Sequence, residues 1–276
     1  MSKYTYTETK YNSSSKEKLN YWECAIGLNK VDNLSPSKYL IQLANEHIKG
    51  NLTTEEVRQN LYKKYNEEDS DELEYECDMV SSRIVDLLDN ENFSLSVPTL
   101  LGIHKYLFQD IYSFAGEIRD KNLTKNEEIL NGETVKYSNY YDILSRLEYD
   151  ISLQKTVKLS KLSEDELVKN IATFTSNIWQ NHPFREGNTR ATAMFIEQYL
   201  RSYGLPVKND IFTEHSLYFR NCLVRSNYNN WELKVDSDSK YLENFFAYVI
   251  GVAELEISDL NIEKNIEKMR EEEIEL

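Results

Sequence analysis

The chain has 276 residues, 40% of them hydrophobic, enough for one domain with attachments or two small ones. Its formal net charge of −15 (47 acids against 32 bases) excludes a general nucleic-acid binder and a protein that docks on an anionic membrane, because both need a basic face. A local positive pocket for a single nucleotide stays open on such a chain. With only 4 prolines and 8 glycines, long helices are favoured over many short strands. Cys24, Cys77 and Cys222 are widely spaced and odd in number. They suggest neither a disulfide framework nor a zinc site and read as reduced thiols of a cytoplasmic protein. The N-terminus lacks the apolar core of a secretory signal, and no apolar run has the length to span a bilayer.

In chain order, residues 1–20 are polar and read as loosely ordered, part of an N-terminal extension over 1–34. Ser35-Pro36 is expected to open a helix with Tyr39, Leu40, Leu43 and Ile48 on one side. Thr53 to Glu56 has the form of a capping box for a second helix. Together they make a small helical hairpin over 35–69. Leu73 to Leu88 reads as a helix, and Ser96-Val97-Pro98 starts another with Leu100, Ile103, Leu107 and Ile111 on one face. The helical period is lost between Asp120 and Tyr137. There Asn131-Gly132, flanked by Ile129, Leu130 and Val135, predicts a β-hairpin. Ser163 to Glu166 is a second capping box, followed by a helix that must end before Pro183. Thr189 to Tyr203, His215 to Ser226 and Tyr241 to Leu255 are further helices. Residues 256–276 read as a charged helix or tail. The expected fold is thus mostly α, with a main domain over 70–255.

The chemistry is concentrated in Asn181-His182-Pro183-Phe184-Arg185-Glu186-Gly187-Asn188-Thr189-Arg190, a loop between two apolar helices. A helix start offers unpaired amides and the positive end of a dipole. Gly187 allows the turn that lets those amides converge, Asn188 and Thr189 can cap and donate, and Arg190 presents a planar fork to phosphate. His182 is a base available near neutral pH. Glu186 is a hard oxygen ligand of the kind that holds Mg²⁺ together with phosphate oxygens. Phe184 is read as the anchor of the loop.

At these residues the sequence resembles the Fic family, whose pattern is His-x-Phe-x-Asp/Glu-Gly-Asn followed by arginine. The resemblance extends over Leu100 to Gly116 and Tyr218 to Tyr228. It implies a Fic-type helical bundle with one small β-hairpin flap. It also implies transfer of AMP from Mg²⁺-bound ATP to a Tyr, Ser or Thr hydroxyl of an unknown target protein, or of the chain itself. In that account His182 takes the hydroxyl proton and Glu186 holds the metal, while Gly187, Asn188, Thr189 and Arg190 stabilise the phosphates. The flap residues Ile129, Leu130, Asn131 and Gly132 face nucleotide and target, and Tyr218 and Asn227 contact base and ribose. Two departures stand out. Thr189 replaces a common glycine, and Ala193 replaces the second arginine that reaches the terminal phosphate in many members. The helix over 73–88 resembles the family's inhibitory helix, with Ser82 in the serine place and Asp86 in the acid place; Asp86 is read either as that brake or as a solvated residue. Two other readings stay open: a transferase using another phosphate donor, and a nucleotide-binding docking module without turnover.

Overall fold

The computed structural model describes residues 14–67, 71–90 and 92–263. The tail expected over 256–276 therefore lies mostly outside the described residues, as does the start of the N-terminal extension. The described residues form ten α-helices: α1 Ser15–Asn29, α2 Lys38–Ile48, α3 Thr54–Glu67, α4 Glu72–Leu88, α5 Val97–Phe108, α6 Ile143–Thr156, α7 Glu164–Asn181, α8 Asn188–Ser202, α9 Ile211–Asn227 and α10 Lys240–Val249. The fold is mostly α, as expected.

The helix starts follow the local chemistry. Ser163 and Glu166 form the expected capping box at α7. Thr53 and Glu56 bond reciprocally at α3. The cap of α2 is Ser37 rather than Ser35, because the Ser37 hydroxyl accepts from the Leu40 amide while donating to buried Asp78. Residues 15–20, read as loosely ordered, are the first turns of α1, closed by a capping box between Ser14 and Glu17.

This first helix packs on α4 and α9. Gly27 makes the close approach to α9 feasible: a Cβ at this position would lie 2.1 Å from the Phe212 carbonyl oxygen. Trp22 and Leu28 of α1, Leu40 of α2 and Val57 and Leu61 of α3 join the same hydrophobic core as Trp179, Phe184, Phe195 and Phe219. At the centre α8 is buried along most of its length, packed against α5 and α7. Burying a Leu- or Phe-sized side chain contributes about 1.5–3 kcal/mol, so the shared core fixes the N-terminus of α8 firmly in place.

The expected β-hairpin flap is not formed as paired strands. Residues 125–134 make a tight loop around a 3-10 turn, Glu128–Leu130. The Glu127 amide donates to the Glu133 carbonyl and the Gly132 amide to the Glu127 carbonyl. Asn131 and Gly132 both sit at positive φ, as the turn signal requires, but Leu130 drops fully into the core and pulls the strand register apart.

Candidate active site

The loop between α7 and α8 is bent by two left-handed residues, His182 (φ 45°) and Gly187 (φ 76°). Gly187 is required twice over. Its φ disfavours a side chain, and a Cβ would lie 2.4 Å from the Phe108 ring. Asn188 closes the loop on itself: its side chain accepts from the Phe184 amide (2.9 Å) and donates to the Phe184 carbonyl (2.8 Å). The Asn188 side chain is therefore spent on loop shape. The Thr189 hydroxyl accepts from the Trp179 indole at 3.1 Å. The Phe184 ring is buried and stacks on His104 at 3.6 Å between centroids.

Two props of this loop escaped the sequence reading. His104 accepts from the Gly116 amide through Nδ1 (2.9 Å), so Nε2 carries the proton and donates to the Glu186 carbonyl (3.0 Å). Burial holds its pKa down to about 4, which keeps this neutral tautomer in place. Arg119 donates to the carbonyls of His182 (2.7 Å), Lys121 (2.6 Å) and Ser138, and its own amide donates to the Pro183 carbonyl (2.8 Å). An arginine that spends its fork on carbonyls leaves no pattern in sequence beyond its position in the segment before the flap.

His182 is 2% exposed and is stacked on Tyr137 at 4.0 Å, with Trp179 edge-on at 5.5 Å. Neither ring nitrogen has a hydrogen-bond partner among the described residues. Burial, and then the positive charges of Lys125, Arg119 and Arg220, push its pKa well below the usual histidine value. The imidazole is therefore neutral at pH 7 and ready to accept a proton. Glu186, half exposed, pairs with Lys125 at 2.9 Å. Arg190 is buried, lies over the Phe108 ring at 4.7 Å, and donates to Asn29 (2.8 Å) and Glu76 (2.7 Å). Its Nε stands 2.9 Å from the Asp32 carboxylate.

The structure thus keeps Glu186, Gly187, Asn188, Thr189 and Arg190 at the start of α8, while His182 caps the end of α7 across the same short loop. Other expected site residues go elsewhere. Asp86 is held by Thr54 (2.8 Å), Tyr106 and Arg58 (3.6 Å) between α3 and α5, away from Arg190. Ser82 is buried and donates to the Met79 carbonyl of its own helix. The acid that α4 does bring to Arg190 is Glu76, which also accepts from the Tyr112 hydroxyl at 2.7 Å. Asn227 bonds Ser176 (2.8 Å) and cross-links α9 to α7. The Tyr218 hydroxyl bonds the backbone of Glu256 and Ser258. In the flap, Leu130 belongs to the core, Ile129 packs against it, and Asn131 bonds Glu263.

Fold and site together define a helical protein in which a buried neutral histidine closes the helix before the central one and an arginine lies in the first turn of that central helix. Residues 94–200 match the model of the Fic/DOC family. A stretch of 109 residues, 39% of this chain, is 30% identical to protein adenylyltransferase VbhT of Bartonella schoenbuchensis. The chain spans 21% of the length of that relative. Over 138 residues, 49% of the chain, it is 28% identical to the probable protein adenylyltransferase y4lH of Sinorhizobium fredii, covering 68% of it. Among solved structures it is similar to the N-terminal FIC domain of Bep8 from Bartonella sp. 1-1C (17% identity, TM-score 0.49, 74% of this chain and 91% of that one). It is also similar to BepC of Bartonella tribocorum with bound AMPPNP (20% identity, TM-score 0.44, 69% and 86%). No helix among the described residues is long and apolar enough to cross a membrane.

Proposed function

We propose that this chain transfers AMP from ATP to a hydroxyl of a protein. The reading rests above all on His182, a buried, neutral, unpartnered imidazole at the end of α7, one short loop away from the α8 amides and an arginine that suit a phosphate. The adenylyltransferase names of the two relatives support the same choice of donor. In this scheme the His182 imidazole removes the hydroxyl proton, and the freed oxygen forms a bond to the α-phosphorus. The bond from that phosphorus to the bridging oxygen breaks, and pyrophosphate leaves. The first amides of α8 and the Arg190 fork hold the phosphate oxygens, so the protein contributes chiefly position and preorganised charge.

Glu186 fits a magnesium ion: it is a single half-exposed carboxylate next to the anion cradle. No group of three His, Cys, Asp or Glu side chains able to hold a metal exists among the described residues. The ion would then take its other oxygens from phosphate and water. When bound it would neutralise phosphate charge.

A resting state follows from the ion pairs. Glu76 engages Arg190 and Lys125 engages Glu186, so a nucleotide must displace both partners. We assign the brake expected on the inhibitory helix to Glu76 in place of Asp86. The functional test is intact-mass analysis of the purified chain, with candidate targets, after incubation with ATP and Mg²⁺. An added AMP on the chain or a target, lost in His182→Ala, is the expected result. Equal labelling in that variant would remove the base from the scheme, and a different added mass would name another donor.

A further inference from the structure

Five side chains from five parts of the fold alternate in charge across the site. Glu127 of the flap meets Arg220 of α9 at 3.1 Å. Arg220 faces Asp32 at 3.8 Å, Asp32 faces Arg190 at 2.9 Å, and Arg190 meets Glu76 at 2.7 Å. Asp32 lies in the short turn Lys30–Asp32 that follows α1. It is the member common to both arginines: one carboxylate oxygen faces Arg190 and the other faces Arg220.

We infer that Arg220 is the second phosphate-binding arginine of this site, and that Asp32 marks where the terminal phosphate of a nucleoside polyphosphate sits between Arg190 and Arg220. This rests on the transferase reading given above. Three observations carry it. First, two guanidinium groups face one small anion, Arg190 through Nε and Arg220 through one terminal nitrogen, and a phosphoryl group with its three oxygens can take a donor from each. Second, the fit to Asp32 is incomplete. The Arg190 Nε is buried and, although close to the carboxylate, makes no aligned hydrogen bond with it or any other acceptor. A tetrahedral anion offers further acceptor directions, whereas a planar carboxylate leaves that donor idle. Third, Asp32 is the acid most easily displaced: its side chain is 28% exposed, against 11% for Glu76 and 5% for Glu127. Arg220 thus supplies from α9 the second cation that Ala193, buried on α8, does not.

Arg220 also ties the flap through Glu127, and a purely structural strut predicts different behaviour. The test is calorimetric binding of ATP and of AMP, in Mg²⁺ buffer, to the full chain and three variants. The parent is expected to prefer ATP. Arg220→Gln should weaken ATP about tenfold or more while leaving AMP within about twofold, as loss of one charge-assisted contact to a distal phosphate demands. Asp32→Asn should tighten ATP several-fold, since it removes the competing charge. Glu127→Gln, which frees the flap and keeps the arginine, should not lower the ATP-to-AMP ratio. An unchanged ratio in Arg220→Gln, or an equal fall in Glu127→Gln, overturns the assignment, and so does a parent that binds both nucleotides alike. A parent that binds neither nucleotide instead sinks the transferase reading itself.

Discussion

At the scale of single residues the site is built by exclusion as much as by placement. Tyr137, Trp179 and the loop backbone wrap His182 so closely that its charged form is disfavoured, while Phe108 occupies the space a side chain on Gly187 would need. Gly187→Ala is therefore expected to destabilise the chain by about 1–3 kcal/mol for the strained φ alone. The ring clash adds to this and tilts the α8 amides away from the phosphate. Urea unfolding should show a lower midpoint, and AMP transfer should fall by more than the folded fraction does. Wild-type stability with wild-type turnover would show that the loop tolerates the change. The shape of the motif loop was readable from sequence because its determinants are local: the glycine turn at Gly187 and the apolar anchor Phe184. Tyr218 and Asn227 were not, because a helix face cannot be assigned to ligand or neighbour without knowing what packs against it. Asn227 turned out to bond Ser176 on α7.

At the scale of elements, α4 shows where periodicity helps and where it stops. Its span was legible, Leu73 to Leu88 against Glu72–Leu88. Its rotation was not: the acid facing Arg190 is Glu76, whereas Asp86, two to three turns further along, faces α3. Sequence favoured Asp86 because a serine stood four residues before it, yet that serine bonds back to its own helix. If α4 restrains the site, Glu76→Ala should raise the initial rate of AMP transfer about tenfold, a difference of about 1.4 kcal/mol in access to Arg190. Asp86→Ala should not. Rates measured by label incorporation decide between them, and equal rates in Glu76→Ala and parent would retire the brake. The flap differs from the expected hairpin for a related reason. Asn131-Gly132 correctly signals a turn, but the alternation around it is broken by Leu130, which the core claims.

At the scale of the whole molecule, three of the four histidines are buried: His47, His104 and His182. Burial pushes the pKa of His47 and of His104 down to about 4, and that of His182 also falls well below its ordinary value. A histidine kept neutral in the fold binds fewer protons than in the unfolded chain. Stability is therefore complete above about pH 6.5 and is lost as pH falls below it. Each such group is expected to cost about 1.4 kcal/mol at one unit below that value. Urea midpoints should drop between pH 7.5 and pH 5.5, and His104→Gln should show a smaller drop than the parent. A parent whose midpoint is flat over that range would contradict the burial argument. The helical class was legible from the scarcity of glycine and proline. The closeness of the seat of α1 on α9 was not, since it depends on one glycine near the C-terminal end of α1.

That glycine has a reach beyond packing. Because α1 can lie almost backbone to backbone against α9, its last residue Asn29 and Asp32 in the turn that follows both reach Arg190. Widening that seam by even one methyl group would shift both partners together and leave a buried guanidinium without two of its three companions. Helix α1 therefore acts as a wedge whose depth sets how tightly the central arginine is held.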